Sequence, residues 1–449
     1  MSPATARALR DAVEGPVHIP GDESYDAARR PWQRAVDPYP AAVAEAMSAE
    51  DVRAAIRFAR DVDAPFAVLN TGHGAARMPD DGVTLRMGRM NQVDVDPERA
   101  TARVEGGALW SDVIEAAAPH GLAPLSGTSA GVGVAGYTLG GGAGWLSRLH
   151  GFAADSLISA EIVTAGGDIL TVSADEHPDL FWALRGGSGN FGVVTALEFR
   201  LYPLEAVYAG MAMYPLDNAA ETFALYREWA LDEPDESNTA VQVMTMPPLE
   251  QIPEPLRGKR VLMVRGLYAG PAAEAEALFR PLRETAGTPI MDVFREMSGF
   301  ADVAAMLPPP PPMVSEMHVD LLREVPDAAL DIVLDPEIPV GVELRHWGGA
   351  MGRPPAGGSP IGHRDVPFSV VLSAMAPEID GAPAARASVR DVGEKLSPYA
   401  TGGSFLNFLT DAGRTADAFT AADHRRLAEV KASYDPSNFF AANHNVAPA

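Results

Sequence analysis

The sequence predicts an α+β protein of two domains, and three observations carry that reading. Short β-branched runs alternate with glycine turns up to about residue 204, where the texture shifts to longer strands and longer helices. From about residue 400 a strand-like run, a helix and a tail follow. The 449 residues are 47% hydrophobic, enough for real cores in each unit.

The elements follow in chain order. Residues 1–36 are polar and mixed, and read as an N-terminal arm with a short helix. Ser48-Ala-Glu-Asp51 fits a capping box, and Val52, Ile56 and Ala59 recur at helical spacing, which predicts a helix over 50–62. Phe66-Ala-Val-Leu69 is a buried strand. It runs into the small-residue loop Asn70-Thr-Gly-His-Gly74, placing His73 just past a strand end, where loops carry chemistry. A helix is predicted over 111–120, a hairpin over 157–173, a short helix over 178–184 and a strand over 193–201. After Pro203, strands are predicted at 207–214, 239–246, 260–268, 340–347 and 367–375, with helices at 218–231, 272–285 and 382–397. Pro308 to Pro312 reads as a polyproline loop tip on the surface. Ser404 to Leu409 reads as a strand, and 421–434 as the last helix.

Composition removes several classes of function. With 35 Lys+Arg against 60 Asp+Glu the net charge is −25, the opposite of the basic footprint that nucleic acid or an anionic membrane requires. No cysteine means no disulfide, no thiolate metal site and no cysteine nucleophile, and no metal centre is expected. No apolar run reaches the roughly 18 residues of a membrane span. The first residues carry no export signal, so a cytoplasmic protein with a small-molecule substrate is expected.

Residues 127–144 are the most glycine-dense stretch. Gly127-Thr-Ser129-Ala-Gly131 matches the nucleophile-elbow pattern, but no strand precedes it and more glycine follows, so a serine hydrolase is not the reading. Gly131 to Gly136 and Gly187 to Gly192 both match G-x-G-x-x-G. The dinucleotide fingerprint needs the last glycine to open a helix. Gly192 feeds a β-branched strand, and Gly136 feeds Tyr-Thr-Leu and more glycine, so no helix is expected after either. Two glycine loops beside strands still suit a phosphate held by backbone N–H groups alone.

Four segments in order now carry a resemblance: Leu69-Asn-Thr-Gly-His73, Val132-Gly-Val-Ala-Gly-Tyr-Thr-Leu-Gly-Gly-Gly142, the run Pro178 to Thr195, and the tail Tyr434 to Asn445. The chain resembles the berberine-bridge-enzyme-like branch of the vanillyl-alcohol-oxidase, or PCMH-type, flavoproteins. The resemblance implies an FAD-binding domain over 37–204, an inserted substrate domain with an antiparallel sheet and flanking helices over 205–400, and a segment over 401–449 returning to the FAD domain. It implies FAD bonded to His73, with contacts at Asn70, Thr71, Gly72, Gly74, Thr128, Ser129, Val132, Gly133, Gly136, Gly189, Asn190, Gly192, Val194, Asn443 and Asn445. Many members add a second bond from a cysteine, but the matching residue is Ser129, so only the histidyl bond remains. The family's first loop usually reads Arg-x-Gly-Gly-His; Leu69 and Thr71 depart from it.

The departures extend to the catalytic groups. Two tyrosines used by many members are Ala143 and Phe405 here, with Phe408 nearby, so a phenolic base at those positions is absent. Tyr137, Glu343, Arg345 and His346 are the remaining candidates, and strand alternation places Glu343 and Arg345 on one face and His346 on the other. Val132 matches a position at which valine accompanies oxidases. The expected activity is hydride transfer from a small hydrophobic substrate to FAD, with reoxidation by dioxygen. A dehydrogenase or cyclising enzyme on the same scaffold, or a flavin binder without turnover, are the alternatives.

Overall fold

The computed structural model describes all 449 residues except 248, 249 and 251. Its first unit holds two sheets. One orders the strands Val17–His18, Ala42–Glu45, Val83–Arg86 and Phe66–Leu69, the last three mutually parallel. The other is antiparallel and orders Val93–Asp96, Thr101–Glu105, Val193–Arg200, Leu157–Val163 and Ile169–Ser173. The helix Ala49–Asp61 starts where its capping box predicts, with the Ser48 hydroxyl accepting from the Asp51 amide, and buries Val52, Ile56 and Ala59.

The segment expected as an arm over 1–36 is packed onto the first unit and adds side chains to its core. Leu9, Val17 and Ile19 are buried with Ile56, Phe66 and Leu85. Its helix Pro3–Ala12 packs on Ala49–Asp61, and only the stretch around Pro31 to Arg34 reaches away, toward the second unit.

The second unit is one antiparallel sheet in the order Met291–Asp292, Val207–Tyr214, Arg260–Tyr268, Ser237–Thr245, Gly341–His346, Phe368–Ala376 and Val314–Leu322, with Arg295–Met297 also pairing Val207–Tyr214. Val241, Val243, Leu262, Val264, Val342, Leu344, Val370 and Leu372 share a core with the helices Ala219–Trp229, Asp327–Leu334 and Ala382–Leu396. The pleat therefore turns Gln242, Arg265, Glu343 and Arg345 to the opposite face. There the Arg265 guanidinium lies 5.4 Å from the Trp145 ring of the first unit.

The chain then returns. Phe439 stacks on Phe66 of the first unit at a ring separation of 5.1 Å, and Phe440 meets it edge-on at 6.1 Å. Two expectations are corrected. Val134–Leu139 is a helix, so Gly136 lies inside one; burial of Val134, Ala135 and Leu139 outweighs the cost of a helical glycine. Ser404 to Leu409 is not a strand but a 3₁₀ turn, Leu406–Phe408. Pro308 to Pro312 is exposed, as expected of a surface loop, and it touches the first unit: Pro310 O accepts a hydrogen bond from the Trp32 indole at 3.1 Å, and a Cβ on Gly131 would lie 3.0 Å from Pro309.

Candidate cofactor and active site

The strand Phe66–Leu69 ends at a cleft that also gathers the helix Val134–Leu139, the turn Ser188–Asn190, the start of Val193–Arg200 and the C-terminal tail. Asn70, Gly136, Gly189, Asn190, Gly192, Val194 and Asn443 line it, together with Met87, Gly106, Phe440 and His444. Four segments far apart in sequence thus form one groove. A Cβ on Gly74, Gly136 or Gly189 would meet nothing within 4 Å, which marks open space along these backbones. At Gly133 a Cβ would lie 2.6 Å from Asn70 Nδ2, so glycine lets the asparagine sit against the tract.

The tail is fixed by its own hydrogen bonds. Asn190 spends its side chain on them: Nδ2 donates to Gly187 O and His444 O, and Oδ1 accepts from Val446 N at 2.8 Å. Asn443 Oδ1 accepts from the amides of Ala76 and Arg77, tying the tail to the loop after His73. Asn445 lines a larger neighbouring cleft of about 1070 Å³, which it shares with Asn443, Glu316 and Arg414. Thr128, Ser129 and Val132 are half-buried on the glycine tract, and Val132 O accepts from Trp110 N at 3.0 Å.

His73 is held on two sides. Its Nδ1 lies 2.9 Å from Thr71 Oγ1, and its ring stacks on Trp32 at 4.3 Å with 16° between planes. Burial pulls the imidazole down to about 4, so it is neutral at neutral pH. Gly72 takes φ +77°, which turns the loop so that Trp32 N and Gln33 N donate to Thr71 O and Gly72 O.

The catalytic candidates separate. Glu343 accepts from Arg345 Nε and Nη2 at 2.9 and 2.6 Å, and pairs with Arg265 at 2.9 Å. Burial alone would raise its carboxyl, but the two guanidiniums outweigh burial and hold it below the usual carboxylate range. Tyr137 is buried against Trp110, and burial pushes its phenol far above the ordinary value against the pull of Arg345. It is therefore a neutral donor, not a base. His346 points the other way: its Nδ1 lies 2.8 Å from Arg148 and 3.3 Å from Glu233 in a buried cluster that docks the two units. Ala143 and Phe405 are buried with Phe152 and Trp347, with Phe408 packed beside them under the Arg345 guanidinium.

Two residues escaped the sequence. Asn407 donates to Tyr137 O at 3.1 Å and accepts from Gly142 N at 2.9 Å, clamping the glycine tract from the C-terminal segment. Trp32 shelters His73; a lone tryptophan in a polar stretch was its only signal.

The groove offers FAD a polar atom of its own: Asn70, which lines it, leaves Nδ2 buried without a partner, and such groups concentrate where a ligand completes them. His73 Nε2, Ser129 Oγ and Tyr137 Oη on the flanking loop and glycine tract, and Asn445 Oδ1 in the neighbouring cleft, are buried without a partner as well. Among the described residues no group of His, Asp or Glu is arranged to hold a metal, and no helix is long and apolar enough to cross a membrane.

Comparison with known proteins points the same way. A family model described as "FAD binding domain" matches residues 40–173, and one described as "Berberine and berberine like" matches residues 404–447. The chain is 28% identical to an FAD-linked oxidoreductase of Dictyostelium discoideum, over 98% of this chain and 96% of that one. It is 29% identical to the (R)-6-hydroxynicotine oxidase of Paenarthrobacter nicotinovorans, over 97% of each. The crystal structure of 6-hydroxy-D-nicotine oxidase from Arthrobacter nicotinovorans superposes with a TM-score of 0.82 at 26% identity, covering 97% of this chain and 98% of that one.

Proposed function

The chain belongs to the berberine-bridge-enzyme-like FAD-linked oxidoreductases, and on that premise we propose that it is an oxidase carrying its flavin on a single bond to His73. One observation carries the reading: the buried, unpartnered Nε2 of a neutral imidazole, in the loop that follows the strand Phe66–Leu69, whose own residues line the groove. A neutral imidazole is a competent nucleophile, and a rigid strand end can hold it in place. No cysteine exists to add a second bond.

Asn70, Gly136, Gly189, Gly192, Val194 and Asn443 would hold the cofactor, with backbone amides meeting its phosphates so that a chain of charge −25 needs no basic patch. Bound FAD supplies the hydride acceptor and passes the electron pair to dioxygen. Val132, half-buried beside Ser129, supports dioxygen as that acceptor.

The substrate class follows from the missing base. Glu343 is saturated by two arginines and Tyr137 stays protonated, so neither takes a proton near neutral pH. A neutral amine needs none, because its lone pair is already free to assist hydride loss. The cluster Arg265–Glu343–Arg345 carries a net charge of +1, which holds a bound amine in its neutral form. Phe405, with Phe408 packed beside it, supports a hydrophobic body, and the unpartnered Tyr137 Oη has a proton left to donate in a hydrogen bond. A relative named for 6-hydroxynicotine, a small amine, supports the same class.

The test is direct. Denatured wild-type protein keeps flavin fluorescence on its gel band, and His73→Ala loses it. Hydrophobic amines bleach the flavin without air, and admitted air returns the colour with equimolar hydrogen peroxide. Flavin that washes away from the acid-precipitated wild type removes the bond; bleaching without peroxide makes the enzyme a dehydrogenase.

A further inference from the structure

The two faces of the second unit's sheet are built from different residues. Among the described residues, the core under its helices contains no methionine. The opposite face gathers Met211, Met213, Met244, Met246, Met263 and Met291 in one cluster with Leu256 and Val261. That is six of the chain's 17 methionines, and with no cysteine present methionine holds all of its sulfur. We propose that this cluster is a peroxide trap, in which Met244 and Met263 are sites of sulfoxide formation by the hydrogen peroxide that the enzyme itself releases. This rests on the reading that the enzyme is an oxidase.

Register puts the sulfur beside the charged centre of the sheet. Met291, Met213, Met263, Gln242 and Glu343 stand opposite one another across five neighbouring strands. Met211 stands opposite Arg265, which pairs with Glu343 at 2.9 Å. Adjacent strands are about 4.8 Å apart, so Met263 lies about 10 Å across the sheet from Glu343. Met244 follows Gln242 on the same face, one pleat along. This face is the one that meets the first unit: Asn238 Nδ2 donates to Gly144 O at 2.9 Å, and the Arg265 guanidinium lies 5.4 Å from the Trp145 ring. Arg345 acts on the Tyr137 phenol, and the helix that carries Tyr137 lines the groove through Ala135, Gly136 and Leu139. The units leave space here. Gln242 is half-buried on a central strand whose other face is covered by helices, and the Glu343 side chain keeps 13% exposure. A molecule as small as hydrogen peroxide reaches Met244 and Met263 through that space.

The chemistry balances with peroxide alone. The thioether sulfur attacks one peroxide oxygen, the O–O bond breaks and an S–O bond forms. The departing hydroxide takes the proton of the new S–OH group and leaves as water. Sulfur loses two electrons and peroxide gains them, giving methionine sulfoxide. Exposure alone predicts a different order of reaction. Met375 and Met47 are 53% and 49% exposed, whereas Met263 is 7% exposed and Met244 is half-buried. Met263 and Met244 react first only when peroxide arrives from inside.

The experiment makes peroxide at the flavin without needing the substrate. FAD-loaded wild type is bleached with stoichiometric dithionite and reoxidised in air, over repeated cycles, with catalase in solution. A second sample, never reduced, receives hydrogen peroxide from outside without catalase. Peptide mass spectrometry then follows sulfoxide at each methionine. The cycled sample should carry several-fold more sulfoxide at Met244 and Met263 than at Met375 and Met47, and the second sample the reverse. Cycled protein that follows the order of exposure, or that loses its sulfoxide at Met244 and Met263 to catalase, overturns the proposal alone. Flavin that stays bleached in air overturns it together with the oxidase reading. Met244→Leu with Met263→Leu, which keeps the volume, should lose the excess over the exposed methionines; sulfoxide moving instead to Met375 and Met47 despite catalase would show that peroxide escapes by another route and the cluster traps none.

Discussion

Gly72 shows how one residue sets the geometry of the loop that carries His73. Its φ of +77° belongs to the left-handed region, and a Cβ there would lie 2.5 Å from Pro31 Cβ and 2.7 Å from Leu69 Cδ1. Gly72→Ala therefore meets a strained backbone and a clash together, at about 1–3 kcal/mol. A lowered thermal midpoint and slower flavin linkage are expected; an unchanged midpoint would count against the close approach of Pro31. Glu343 makes the opposite point, that a buried carboxylate near a reaction need not be its base. Its oxygens already accept from Arg345 and Arg265. Glu343→Gln leaves two buried cations without their counter-charge, which costs about 3–5 kcal/mol where a buried pair is broken. Stability should fall, while the pH dependence of anaerobic flavin reduction keeps its midpoint. A base role would show instead as loss of the basic limb of that profile.

At the scale of elements, the last helix and the tail carry the closure of the groove. Lys431, on Ala421–Tyr434, is fully buried and donates to Asn190 O at 2.6 Å and Phe440 O at 2.9 Å, with Asp435 2.7 Å away. Asp435 in turn accepts from the amides of Phe439 and Phe440. Lys431→Met strands that carboxylate and releases the tail from the cleft, so FAD should dissociate from any fraction not bonded to His73, and the thermal midpoint should drop. Retention of both would show that Asn190 and Asn443 suffice to hold the tail. The same elements show what the sequence could and could not reveal. The strand Phe66–Leu69 and the loop to His73 were legible because a local apolar run ends in small residues. The helix Val134–Leu139 was not, because its stability comes from burial of Val134 and Leu139 rather than from propensity. The edge strand Val314–Leu322 escaped because Glu316, His318 and Asp320 interrupt it; they are matched by Arg386 and Arg414, which lie 70 to 96 residues away. Trp32 and Asn407 belong to the site only through tertiary contacts, and no local pattern marks such residues.

At the scale of the molecule, the two units meet through buried charge and buried histidine. Arg148 reaches from the first unit to Ser237 O, Glu233 and His346 in the second, and Arg364 pairs with Asp155 in the reverse direction. His150 stacks on Tyr202 at 3.7 Å nearby, and His444 sits in the tail between Thr415 and Leu409. Burial pulls His73 and His150 down to about 4, and it lowers His444 against the opposing pull of Leu409 O and Asp411. In the unfolded chain each returns to its ordinary 6.5, so between 6.5 and about 4 the unfolded chain binds more protons than the folded one. Their contribution to stability is complete above that window and is lost as pH falls through it. Glu343 acts later, because its carboxyl is held below the usual range and its ion pairs survive until more acid pH. The thermal midpoint should therefore fall between about pH 7 and about pH 5, before acid reaches the paired carboxylates. His150→Phe keeps a ring on Tyr202 but removes a titrating group, and His73 in the flavin-bonded protein can no longer titrate as a free imidazole. The decline should be shallower in His150→Phe and shallower in bonded than in flavin-free protein; parallel curves for all of them would mean that carboxylates, not buried histidines, set the acid limit.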